Sequence, residues 1–259
     1  KSNKKIFYSN WRRMILKLKP KILIVSLPPF LNVKVLEFLK NKGFVKKILI
    51  EKPICVSKKD NDFLKTLNKN FKKRVFVHYL DIHSKSIKYL LSKKIYFDKI
   101  HMQISGPSSL RKDMSPFWEY SPHFLIFLIL KIKNISKYKI YFEKEKIKKE
   151  RLKFKLNLSY KNKIINLISG NHTEKRFRRI ILFDKKGRYE YNDRSLNQLT
   201  FSNNFNKSII LKKENLLDNT LFYFFNKFLE NDREKRYDYI EISIKLNNLM
   251  HSIEKIDHR

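Results

Sequence analysis

Cysteine occurs once in the 259 residues, alanine never, and glycine only four times. The lone Cys55 excludes an intrachain disulfide and fits a reducing compartment. It stands two residues beyond Pro53 among apolar neighbours, with no adjacent base, and so reads as a packing residue. Gly43, Gly106, Gly170 and Gly187 are isolated, which excludes a Gly-x-Gly-x-x-Gly turn, the loop that brings backbone amides against a pyrophosphate. Long apolar runs are also absent. The longest, residues 124–130, falls well short of the roughly 20 residues that a membrane helix needs. The opening Lys-Ser-Asn-Lys-Lys has no signal-peptide core, so a soluble, cytoplasmic protein is expected. One cysteine and dispersed histidines leave no zinc-ligand spacing and imply no metal.

Acidic residues are scarce: 24 against 59 Lys and Arg, a formal net charge of +35. Of the basic residues 46 are lysine, and Lys, Asn, Ile, Phe and Tyr are abundant together. That pattern points to genome base composition acting on tolerant surface positions. The lysines are scattered singly or in pairs rather than gathered on one stripe. They favour salt-sensitive attraction to polyanions but no specific nucleic acid. The same charge suits an anionic substrate.

What is present is organised around residues 20–53. Residues 22–27 form a short β-branched run closed by Pro28-Pro29, which predicts a parallel strand buried on both faces. Leu31, Val35, Leu36 and Leu39 recur at helical spacing, with Gly43 at the helix stop. A second apolar run ends on Glu51-Lys52 and is broken by Pro53. Strand, helix and strand imply a right-handed crossover in a parallel sheet. Residues just past the strand C-termini line the ligand crevice of such sheets, placing Ser26, Pro28, Pro29, Glu51 and Lys52 on one rim.

Ser57 then predicts an N-cap for a helix bearing Phe63, Leu64, Leu67 and Phe71. Residues 74–79 predict the next buried strand, and Ile87, Leu90 and Leu91 a short helix. Residues 100–105 alternate as a strand, and a loop at Gly106 leads to Trp118-Glu-Tyr-Ser-Pro-His123 and an apolar helix. From Lys137 onward apolar and polar residues alternate over 138–142, 152–160, 164–169 and 179–183. This predicts an antiparallel sheet with one wet face, and Asp184-Lys-Lys-Gly187 a hairpin turn. His78 and His83 read as hydrogen-bonded structural histidines, and His172 with Arg176, Arg178 and Arg179 as a loop charge cluster. Two apolar stripes, Leu216 to Phe228 and Ile240 to Ile253, predict closing helices packed in the core.

These motifs carry a resemblance. Ser26-Leu27-Pro28-Pro29, Glu51-Lys52-Pro53 and the run from Glu119 to His123 resemble, in order and distance, the Gfo/Idh/MocA (glucose-fructose oxidoreductase, inositol dehydrogenase, rhizopine catabolism) family. The resemblance spans nearly the full chain and is strongest at 20–92 and 115–130. It implies a partial Rossmann-like parallel sheet domain over 1–82 and an open, mainly antiparallel α+β domain over 83–259. It places the glycine-rich unit ahead of the segment where this chain begins, and implies NAD or NADP as cofactor. Ser26, Leu27, Pro28, Pro29, Asn32, Glu51 and Lys52 are then the cofactor-binding positions, and Lys52, His123 and Glu119 the catalytic set. Glu119 stands where the family has Asp, and Ser121 where it has Gly, a substitution that matters if the site needs a positive φ.

The implied substrate is a sugar or sugar nucleotide, and the sheet's exposed face supports homo-oligomers in that family. Oxidising a secondary alcohol sends a hydride to nicotinamide and a proton to a base. A histidine can take that proton, and a lysine ammonium can stabilise the developing alkoxide. The alternatives are a non-catalytic relative that binds a sugar or a partner without the dinucleotide, and a basic nucleic-acid-binding protein.

Overall fold

The computed structural model describes residues 7–92, 97–228 and 237–257. Helix α1 (Trp11–Leu18), capped by the Asn10 side chain, leads into strand β1 (Ile22–Val25). Helix α2 (Pro29–Leu39) crosses to β2 (Lys47–Ile50), and α3 (Lys58–Thr66) and α4 (Lys69–Lys72) to β3 (Val75–Val77). The three strands pair in parallel in the order β1-β2-β3. Proline at the first position of α2 costs nothing, because its missing N–H would have no partner there.

Two expectations change here. Strand β1 is buried on one face only: Leu23 and Val25 point inward, while Ile24 is 59% exposed and Ile22 also faces solvent. It is the edge of the described three-stranded sheet, and among the described residues nothing covers that face. The helix begun at Ser57 does not reach Phe71. Leu67 is extended, and the Asn68 side chain accepts the Phe71 N–H to cap a separate turn, a local bond that competes with helix continuation.

A 3₁₀ turn (Leu80–His83) and α5 (Lys85–Ser92) lead to β4 (Lys99–Ser105). Helices α6 (Pro116–Tyr120) and α7 (Pro122–Lys131) follow, then β5 (Lys139–Lys148), β6 (Arg151–Tyr160), β7 (Lys163–Gly170), β8 (Phe177–Asp184), β9 (Gly187–Asn192), β10 (Leu199–Ser202) and β11 (Lys207–Leu211). These strands form an eight-stranded sheet in the order β11-β10-β9-β8-β4-β7-β6-β5. All its pairs are antiparallel except β4 with β7. Strands β10 and β11 were not anticipated, since only four and five residues carry them.

Helix α8 (Leu216–Phe222) passes into a π turn (Tyr223–Phe228), and α9 (Tyr239–Asp257) closes the described chain. Helix α9 lies against α3 and β3 on one side and α7 and β5 on the other, so it ties the two sheets together. Its stripe is buried as expected. That of α8 is not: Phe224 is buried, but Leu217 and Phe225 are exposed, and the Phe228 side chain lies outside the described residues. Thr220 takes the inward position instead, its hydroxyl donating to Leu216 O at 2.8 Å.

Gly170 ends β7 at φ 133°, a backbone conformation open mainly to glycine, and a Cβ there would meet Leu152 O at 2.1 Å. Gly170→Ala is therefore expected to cost about 1–3 kcal/mol or more, read as a lower urea midpoint with unchanged m. A midpoint equal to wild type would mean the strand end relaxes freely.

Candidate active site

The C-terminal ends of β1 and β2 build one rim. Pro28 O accepts the Leu31 and Asn32 N–H groups, which starts α2 immediately after the strand. The Glu51 N–H donates to Val25 O at 3.1 Å, drawing the two strand ends together. Ser26 is exposed, and Leu27, Pro28, Glu51 and Lys52 are half-buried there. Pro29 and Asn32 are buried beneath the rim. The Asn32 Nδ2 donates to Pro53 O at 3.3 Å and to Glu51 O at 3.4 Å, so it braces the Glu51–Pro53 turn; its Oδ1 is left without a partner.

Glu51 accepts from the His78 ring at 2.6 Å. Burial alone would raise the Glu51 carboxyl, but His78 and Lys52 outweigh it and hold it low. His83 behaves as the sequence suggested, packed on Phe76 and bonded to the Tyr239 hydroxyl at 3.1 Å.

Lys52 projects from the β2 end and donates from Nζ to Glu119 O at 2.7 Å. Behind it lies a buried cluster assembled from three other elements. His123, the second residue of α7, donates from Nδ1 to Asp81 Oδ2 at 2.6 Å. Asp81 comes from the 3₁₀ turn after β3. Its other oxygen accepts from Arg178 Nη1 at 2.7 Å, and Arg178 Nη2 lies 3.4 Å from His123 Nε2. Arg178 sits on β8 and is only 1% exposed. Lys52 and His123, expected to face one another from different parts of the fold, both act to lower Asp81, and Lys52 also lowers His123.

Loss of solvation lowers Lys52, and Arg178 lowers it further; Asp81, Glu119 and Glu51 oppose, leaving it at about 8. Burial, then Arg178 and Lys52, push His123 down to about 3 despite its bond to Asp81. Burial would raise Asp81, but Arg178 and His123 overcome it and hold the carboxyl at about 2. The resting state thus has an ionised Asp81 and a neutral His123 beside the Arg178 side chain. A cleft of about 620 Å³ opens beside the cluster, lined by Leu80, Arg178, Asp193, Gln198, Lys213 and Glu214.

Glu119 occupies a different place from the one expected. Its carboxylate accepts from Ser108 Oγ at 2.9 Å, and only its backbone carbonyl touches Lys52. The longer side chain reaches the loop after Gly106, and the carboxylate beside His123 is Asp81. Ser121 is helical at φ −60°, so no glycine is required, and its hydroxyl lies 2.7 Å from Ser169 Oγ. The loop charge cluster expected around His172 divides: Arg176 is exposed, but Arg178 turns inward on β8 and Arg179 outward to Glu190 at 2.8 Å. A period-two count backward from Leu182 and Ile180 would have placed Arg178 on the buried face. Nothing local marks Asp81, because its partners lie 42 and 97 residues away.

Two buried histidines give this fold an acid sensitivity above the carboxylate range. His83 and His123 both fall to about 3, chiefly through burial. A depressed histidine is protonated in the unfolded chain first, so stability declines as pH falls from about 6.5 toward 3. Each adds a slope of up to about 1.4 kcal/mol per pH unit in that window. The thermal midpoint is expected to fall steadily from pH 7 to pH 5, and His83→Phe to reduce the slope. A flat profile across that range would exclude neutral burial of both.

No protein-family model matches the chain, and no curated protein does. Solved structures match it nearly end to end. UDP-N-acetylglucosamine 3-dehydrogenase GnnA from Acidithiobacillus ferrooxidans superposes with a TM-score of 0.75 at 12% identity, over 96% of this chain and 82% of that one. An inositol dehydrogenase homologue from Azotobacter vinelandii, solved with NADH and myo-inositol, gives 0.75 at 14% identity over 95% and 80%. A Gfo/Idh/MocA family oxidoreductase from Vibrio cholerae gives 0.72 at 13% over 95% and 81%.

The fold is that of the Gfo/Idh/MocA oxidoreductases. The cluster draws on both sheets: Lys52 follows β2 of the parallel sheet, Asp81 lies in the turn after β3, and Arg178 is on β8 of the mixed sheet. The open rim at the ends of β1 and β2 and the ammonium at its side leave room and charge that a dinucleotide would fit, with the unpartnered Asn32 Oδ1 buried beneath. Among the described residues no helix is long and apolar enough to cross a membrane.

Proposed function

We propose that the chain is an NAD(P)-dependent oxidoreductase that transfers a hydride between the cofactor and a secondary alcohol or ketone of a sugar or sugar nucleotide. The observation that carries this reading is the placement of Lys52 at the end of a parallel strand, beside a buried His123–Asp81 pair from the second part of the fold. Residues 1–82 would serve the cofactor and 83–259 the substrate. Ser26, Leu27, Pro28, Glu51 and Lys52 would hold the nicotinamide end, with Pro29 and Asn32 supporting the rim. The bound dinucleotide supplies the hydride acceptor or donor.

The protein's own part is positioning and proton transfer. A lysine near pH 8 is divided between ammonium and amine close to neutrality, so Lys52 can accept the hydroxyl proton during oxidation and return it during reduction. As ammonium it also stabilises negative charge on the reacting oxygen. The Glu119 carbonyl fixes where Nζ points, while the Glu119 carboxylate, bonded to Ser108, also favours the ammonium through its charge.

The reading is tested by titrating the protein with NADH and NADPH by fluorescence, and by following absorbance of the reduced cofactor with polyols and nucleotide sugars. Saturable binding and reduction with one substrate class are expected; absence of both would overturn the proposal. The second reading is a non-catalytic relative that binds a sugar or a partner without the dinucleotide. Calorimetric sugar binding with no NADH binding would select it.

A further inference from the structure

We infer that Arg178 is a positioning residue that locks His123 as the neutral, Nδ1-protonated tautomer and thereby denies it the substrate's proton, which goes to Lys52. The geometry leaves little freedom. The Nδ1–H is committed to Asp81 Oδ2 at 2.6 Å, and Arg178 Nη2, itself a donor, lies 3.4 Å from Nε2. That distance is long for a hydrogen bond. Its consequence is nonetheless clear: a second proton on Nε2 would set a donor against a donor and a cation against a guanidinium.

Arg178 cannot withdraw readily, because Nη1 is tied to Asp81 Oδ1 at 2.7 Å and the side chain is buried. The charges facing His123 are Asp81 from the turn after β3, Arg178 from β8 and Lys52 from the end of β2; only Asp81 favours protonation. Lys52 faces Arg178, Asp81, Glu119 and Glu51, three of which favour its charged form.

The division of labour follows, and it rests on the oxidoreductase reading. In the oxidative direction the substrate O–H bond breaks and its proton bonds to the Lys52 amine. A bound dinucleotide would supply the acceptor for the hydride, and His123 accepts or offers no proton. A salt bridge that served only to hold Asp81 in place would not require a particular histidine tautomer.

The test is the ¹⁵N-detected titration of the histidine side chains in the full chain, with His123→Gln identifying the resonance. Wild-type His123 is expected to carry its proton on Nδ1 and to stay neutral down to about pH 4. In Arg178→Met its midpoint should move up by about 1–3 pH units. Arg178→Lys, which keeps the charge but draws the donor away from Nε2, should move it less. A wild-type His123 protonated on Nε2, or titrating near its ordinary value, overturns the inference even if neither variant folds. So does a folded Arg178→Met with an unmoved midpoint. These outcomes are independent of turnover: an inactive protein with the expected tautomer sinks the functional reading alone, and an active one with the wrong tautomer sinks only this inference.

Discussion

Lys52→Met is expected to lower turnover by roughly 10²–10⁴-fold, the range that a positioned proton-transfer group contributes. Methionine keeps the length and much of the apolar stem, so the Glu119 carbonyl loses a donor but the packing stays filled. Lys52→Arg should be nearly as inactive although it preserves the charge, because a guanidinium does not release its proton in this range. Wild-type oxidation should rise with pH through about 8, where the ammonium gives way to the amine, and that inflection should vanish in both variants. Reduced-cofactor fluorescence measured alongside separates lost chemistry from lost binding. Turnover within about threefold of wild type in Lys52→Met would remove the lysine from the mechanism.

The second large effect is on stability. Asp81→Ala leaves the Arg178 guanidinium buried and without its carboxylate, and breaking a buried pair in this way costs about 3–5 kcal/mol. For a chain of this size that corresponds to a thermal midpoint lower by roughly 6–20 °C. Replacing both charges, as in Asp81→Leu with Arg178→Met, should recover most of the loss, since the desolvation cost of the pair disappears with it. The sign with pH is set by Asp81: its folded value lies near 2, below the unfolded one, so its contribution is complete above about 4 and is lost as pH falls toward 2. A double variant no more stable than Asp81→Ala would show that the pair does something other than neutralise itself.

The rim was legible because its signals are local. Double proline after an apolar run ends a strand and starts a helix through backbone restrictions alone. Ser57 caps a helix because its hydroxyl reaches a backbone amide three residues on. Alternation over 139–184 announced a sheet, since period-two burial needs no knowledge of the partner strand. The parallel pairing of β4 with β7 was hidden, because it depends on which edges meet across more than sixty residues.

By itself, the sequence determined two kinds of strand pattern, the Lys52 and His123 motifs in their order, and the exclusion of a disulfide within these 259 residues. Only the tertiary structure decided the company those two residues keep. It put Asp81 in the place assigned to Glu119, turned Arg178 from a loop charge into a buried partner, and, among the described residues, left one face of β1 uncovered. The physical reason is the range of the interactions. Caps, turns and periodicity act within a few residues, whereas a buried charge is tolerated only where distant segments deliver its counter-charge to within about 3 Å.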